Sequence, residues 1–327
     1  TLNNHSAIST ILIFGPIVEI IKNDLSKIID SIDKVNCELS IWDNKLIIRS
    51  IAHDNYELKN PFFQKKSYSY SLLKSLIILS KRLHAKKPFT LVRLGDSEML
   101  FLNGVMVGNI VKRSFLTNDI GQFDLNLYKE FTLKNNFICV PDKYSLNQYL
   151  SLNVTEEKKN ISVECVYQLI ASKLLFYILN GYKVGIIGAH EKVEVIKELM
   201  KHKEYREYLG LNRIIEYIQV PQKGDTKNYE ETMSKIEEQM SGEADVYLVG
   251  MSVAKLMILP KLRDRYGKIF LDIGVGIDAI AGVIPNTKSF FGNWINYRLK
   301  NYDYSKINFF SYQTLEKKKI ENIKYLN

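Results

Sequence analysis

From residue 163 to 273, short runs of consecutive apolar residues alternate with stretches in which apolar residues recur every three or four positions. Few folds satisfy that alternation. A strand that is apolar on both sides needs cover on both faces, and amphipathic helices between such strands supply it by packing on a parallel sheet. The periodicity predicts helices over 163–179, 229–240 and 253–262, with a further helix face on Val193, Ile196, Leu199 and Met200. Strands are predicted over 183–188, 213–220, 245–250 and 269–273.

The first half is less regular. The run at 9–14 reads as a buried strand, Gly15-Pro16 as a turn and 17–32 as a helix, followed by short strands at 38–42 and 45–51. Residues 52–66 are polar and carry Asn60-Pro61, which places a boundary there. The chain therefore divides into an N-terminal α/β accessory segment over 1–60 and a main domain over 61–327. The first segment is too small for much of a core and reads as an accessory lobe or the remnant of a preceding domain. Within the main domain, 72–83 has helical spacing, 89–94 and 137–140 read as buried strands, and polar 151–160 as an internal linker. The expected architecture is α/β: a Rossmann-like, mostly parallel sheet with helices on both faces, plus the small N-terminal α/β segment.

A chain of 327 residues, 46% apolar and 25% charged, buries a genuine core and falls among soluble globular proteins, not disordered chains or coiled coils. The apolar run 8–21 is interrupted by Gly15, Pro16 and Glu19, too short to span a bilayer and without the flanks of a signal peptide. Cys37, Cys139 and Cys165 are odd in number and show no CxxC spacing, as expected of reduced thiols in the cytoplasm. The net charge of +9 suits an anionic ligand or peripheral contact with an anionic inner membrane face. Basic clusters such as Lys65-Lys66 and Lys86-Lys87 are scattered and no nucleic-acid module accompanies them, so nucleic acid is not an expected partner.

In an open α/β sheet, ligands bind beyond the carboxyl ends of the strands. Four predicted strand ends carry chemistry. The first is Arg93-Leu94-Gly95-Asp96-Ser97-Glu98. In an extended conformation Asp96 and Glu98 point the same way. Two carboxylates at one point need a neutralising cation, and a divalent Mn²⁺ or Mg²⁺ bridging them to a diphosphate would supply it. Gly95 allows close approach of a ligand, and Arg93 offers a bidentate phosphate contact. The competing reading has Asp96 capping the next helix and Glu98 solvated in its first turn. Gly188, with His190 beyond it, and Gly250, with Lys255 in the following helix turn, look like phosphate-facing turns at helix N-termini. Packing glycines, a solvated lysine and a surface histidine are the plainer alternatives. The fourth end holds Asp272 and Asp278, candidates for a general base or a ribose contact, or for Asp272 a bond to its own turn.

Taken together, these residues resemble the glycosyltransferases of the D-type fold, a family with an R-x-G-D-x-E signature that was first known as a domain of unknown function. The resemblance is carried by FTLVRLGDSE (89–98), VGIIGA (184–189), DVYLVG (245–250), LDIG (271–274) and FGNWINYR (291–298), and spans roughly residues 67–312. It implies that 61–327 is a GT-D type domain transferring a sugar from a nucleotide sugar, typically a UDP-hexose, to a glycan or glycoconjugate acceptor. It further implies a divalent cation held by Asp96 and Glu98. Members of the family follow D-I-G with a histidine and further acidic residues, whereas here Val275, Gly276 and Ile277 precede Asp278. If the reaction inverts the anomeric centre, a carboxylate must take the acceptor proton, and Asp272 and Asp278 are the candidates. Two other readings stand beside this one: another Rossmann-like transferase such as a methyltransferase, and a non-catalytic module that binds a glycan or nucleotide.

Overall fold

A computed structural model describes residues 10–13, 37–42, 45–50, 68–105, 120–140, 163–171, 174–221, 228–283, 297–307 and 324–327, some of them by backbone alone. Strands β1 (Thr10–Ile13), β2 (Cys37–Trp42) and β3 (Lys45–Ser50) form an antiparallel sheet in the order β1-β3-β2. The expected helix at 17–32, the boundary at 52–66 and the linker at 151–160 lie outside the described residues.

The main sheet is built from β4 (Thr90–Arg93), β5 (Phe137–Cys139), β6 (Val184–Ala189), β7 (Ile214–Val220), β8 (Val246–Gly250) and β9 (Ile269–Asp272). Its order is β5-β4-β9-β8-β6-β7, and every pairing is parallel. Burial follows position. The inner strands β4, β6 and β9 are buried along their whole length, whereas edge strand β7 alternates buried and half-buried residues. An edge strand keeps one row of side chains nearer solvent, hence the clean alternation.

Helices cover both faces. One core packs Leu91, Ile186, Leu248 and Leu271 against α1 (Tyr68–His84), α4 (Val163–Ala171), α5 (Leu174–Ile178), α6 (His190–Leu199) and α7 (Lys203–Leu209). The other packs Val92, Ile187, Val249 and Phe270 against α2 (Asp96–Leu102), α3 (Leu125–Leu133), α8 (Tyr229–Gln239) and α9 (Lys255–Tyr266). Neighbouring residues of a strand thus enter opposite cores, as the pleat requires. A short helix, α10 (Gly276–Ile280), follows β9, and β10 (Tyr297–Leu299) pairs in parallel with β11 (Lys324–Leu326).

The helix read over 163–179 is described over Val163–Ala171 and Leu174–Ile178, and the residues between lie outside the described ones. One expectation needs adjusting. The helix read over 253–262 continues to Tyr266, because its last turn is held by charged residues and stopped by Gly267 at φ +63°.

Candidate functional site

The chain leaves β6 towards β7 and leaves β8 towards β9, in opposite directions across the sheet. That reversal opens a crevice between the two carboxyl ends. Gly188 and Gly250 face each other there as register partners, and Ile277 of α10 fills the space above them. A Cβ on Gly188 would overlap Ile277 Cδ1, and one on Gly250 would lie 2.5 Å from Ile277 Cγ2. Packing against Ile277 therefore accounts for both glycines. His190 opens α6 beside this crevice, exposed, with Nδ1 2.5 Å from Gln219 Oε1.

The charged residues assemble one step along, at the ends of β4, β9 and β8. Asp272 ends β9 and is fully buried. Its Oδ2 accepts the Arg93 backbone N–H at 2.8 Å and lies 2.7 Å from Lys255 Nζ; its Oδ1 accepts the Gly274 N–H at 2.9 Å. Lys255, the first residue of α9, is 1% exposed, and its ammonium also donates to Glu98 Oε1 at 2.7 Å. Glu98 is 9% exposed, and its Oε2 accepts the Gly95 N–H at 3.0 Å. Burial works against the Glu98 charge, but the Lys255 ammonium outweighs it and holds the carboxyl below the usual glutamate value.

Asp96 and Glu98 do not leave the strand in an extended segment. Both fall in the first turn of α2, where positions two apart are turned by roughly 200° about the axis. Glu98 is therefore aimed inward while Gly95 serves as N-cap; a glycine has no side chain to complete a capping box. The Asp96 side chain lies outside the described residues.

The Arg93 side chain runs beneath the loop after β9. Its Nη2 donates to the Tyr167 hydroxyl, and the guanidinium stands 4.1 Å from the Tyr167 ring centre. Its Nη1 is 3.9 Å from Asp272 Oδ1, and its Nε is buried with no hydrogen-bond partner among the described residues. Burial raises the Tyr167 pKa, so the hydroxyl stays protonated and neutral. Gly274 has φ +49°, and a Cβ there would overlap Arg93 Nη1. Only glycine lets the loop close over the guanidinium.

Asp278 lies in α10, is 3% exposed and pairs with Lys192 of α6. The structure thus brings together Arg93, Gly95, Glu98, Lys255 and Asp272, and sets Asp278, Gly188, Gly250 and His190 around the neighbouring crevice. Tyr167, Lys192 and Ile277 are participants that pattern reading missed. Tyr167 carried the one available signal, a polar-tipped ring within an otherwise aliphatic helix face.

Residues 143–280 match the family model of a GT-D fold-like domain. Over these residues the chain is similar to a GT-D fold-like domain. The match takes in β6 to β9 with Lys255, Asp272 and Asp278, and begins after Arg93 and Glu98. Comparison with curated proteins and with solved structures finds no match. The GT-D-like assignment points to a glycosyltransferase at the level of fold.

The divalent cation implied by the signature would sit on Asp96 and Glu98; the Asp96 side chain lies outside the described residues, so the carboxylate oxygens described there are those of Glu98 and its neighbour Asp272. All four carboxylate oxygens of Glu98 and Asp272 already meet an ammonium or a backbone N–H. Two cations, Arg93 and Lys255, balance the two carboxylates. Among the described residues no group of three or more His, Cys, Asp or Glu side chains is placed to hold a metal. A divalent ion between Glu98 and Asp272 does not fit this donor set.

Proposed function

We propose that the protein is a glycosyltransferase that moves a hexose from a nucleotide sugar, a UDP-hexose in the first instance, to a glycan or glycoconjugate acceptor. The observation that carries this reading is the bond from the Arg93 backbone to the Asp272 carboxylate, 179 residues away. It unites the R-x-G-D-x-E and D-I-G elements in one network at the carboxyl edge of the sheet, where nucleotides bind in folds of this class.

In such a transfer the bond between the sugar anomeric carbon and the diphosphate oxygen breaks, and a bond to the acceptor oxygen forms. The transition state is oxocarbenium-like, and negative charge grows on the departing diphosphate. A guanidinium held in place by Tyr167, Asp272 and the Gly274 loop meets that charge without reorganising. Asp272 has both oxygens engaged and acts by positioning Arg93 and Lys255. Asp278, which pairs with Lys192, is the carboxylate assigned to the acceptor proton. The basic excess of the chain favours an anionic, membrane-associated acceptor, and no described helix is long and apolar enough to cross a membrane.

Thermal-shift measurements across nucleotide sugars and S-adenosylmethionine test the reading. Stabilisation by a UDP-hexose supports it; stabilisation by S-adenosylmethionine alone would assign the sheet to a methyltransferase, and by neither to a binding module.

A further inference from the structure

The Glu98–Asp272 carboxylate pair has a consequence for metal dependence. Two carboxylates brought together out of water must be neutralised, either by taking up a proton or by a cation. Glu98 reaches the site from α2 and Asp272 from β9, and both are more than nine-tenths buried. A divalent ion is one way to hold such a pair. This chain places a side chain there instead. Lys255 enters from the start of α9 with its stem buried, and its Nζ stands 2.7 Å from one oxygen of each carboxylate.

We propose that the Lys255 ammonium permanently occupies the position a divalent cation would take between Glu98 and Asp272. The pair then binds no metal, and nucleotide binding gains nothing from a divalent ion through it. The first half of this inference stands on the geometry alone; the second rests on the nucleotide-sugar reading.

Three features support the exchange of metal for ammonium. Lysine is a compact point charge with three donors, so one nitrogen can serve two carboxylates from separate elements. The remaining oxygens are closed by the N–H groups of Gly95 and Gly274, with the Arg93 N–H adding a second bond on Asp272 Oδ2. Charge also balances, since Arg93 and Lys255 offset Glu98 and Asp272; a divalent ion entering beside them would leave two uncompensated positive charges in a buried site. Expelling the ammonium would be needed first.

The test is manganese binding followed by the paramagnetic resonance of free Mn²⁺, in wild type, Glu98→Gln, Lys255→Met and the double variant Lys255→Met/Glu98→Gln. Wild type and Glu98→Gln are expected to bind Mn²⁺ alike. A folded Lys255→Met should gain a site about tenfold tighter than any in wild type, and the double variant should lose it. If Lys255→Met does not fold, the comparison of wild type with Glu98→Gln decides alone. Stoichiometric Mn²⁺ binding by wild type that Glu98→Gln abolishes overturns the inference. Calorimetric titration with UDP addresses the second half: affinity in EDTA should match that in Mn²⁺. Dependence on Mn²⁺ that vanishes in Glu98→Gln would contradict it. Absence of UDP binding under both conditions would instead sink the nucleotide-sugar reading and leave the manganese comparison standing.

Discussion

Lys255 Nζ donates to Glu98 Oε1 at 2.7 Å across 157 residues of sequence, and reaches Asp272 at the same distance. This one side chain ties the helix after β4, the end of β9 and the helix after β8. Replacing it leaves two buried carboxylates facing each other. Breaking a buried pair by removing one partner costs about 3–5 kcal/mol. Lys255→Met should lower the urea midpoint by a corresponding amount, and adding Glu98→Gln should recover part of the loss by removing one of the stranded charges. Equal midpoints for wild type and Lys255→Met would show that the bridge adds nothing.

Glu98 predicts a pH dependence of known sign. Its native carboxyl titrates below its ordinary value, so the unfolded chain takes up this proton first as pH falls. The stabilisation is complete above the unfolded value of about 4.3 and is lost as pH drops through the native one. Urea unfolding followed between about pH 6 and pH 3 should show a steeper acid decline for wild type than for Glu98→Gln. Parallel curves would mean that the ion pair is not held in solution.

The crevice between β6 and β8 offers a packing test. A Cβ on Gly250 meets Ile277 at Cγ2 and, at 2.7 Å, at Cβ, close to the backbone of α10, so the clash cannot be relieved by rotating a chain end. Gly250→Ala should cost about 1–3 kcal/mol, the range for overpacking. In the double variant Gly250→Ala/Ile277→Ala the two effects should be less than additive, because the new methyl enters the space that isoleucine vacates. Additive losses would place Ile277 elsewhere.

Gly274 offers a way to displace the guanidinium without substituting Arg93. Alanine at φ +49° is strained, and its methyl would displace Arg93 Nη1. Gly274→Ala is expected to remain folded, at a stability cost of about 1 kcal/mol, while nucleotide-sugar affinity falls about tenfold or more. Affinity unchanged in a destabilised protein would separate the Gly274 loop from the donor site.

Much of the sheet was legible in the sequence for a plain reason. Strands β6, β8 and β9 are buried on both faces, and burial on both faces writes itself as an unbroken apolar run. The site was legible as a set of strand ends and illegible as a set of contacts. Asp96 and Glu98 follow a strand at a spacing that an extended chain would align. Yet Gly95 followed by acidic residues is equally a helix start, and the helix turned Glu98 towards the core. Lys255 looked like a solvated first-turn lysine, since lysine is almost never fully buried unless paired, and its partners lie 157 and 17 positions away. Gly188 and Gly250 looked like phosphate turns because nothing local announces Ile277 as the group that packs over them.

The most direct measurement is calorimetric binding of UDP-hexoses to wild type and to Arg93→Met, with circular dichroism confirming that both are folded. The account predicts saturable binding by wild type and a loss of about tenfold or more in Arg93→Met, the expected effect of removing a charged hydrogen-bonding partner. Binding of equal strength by both proteins would contradict it, as would a folded wild type that binds no nucleotide sugar.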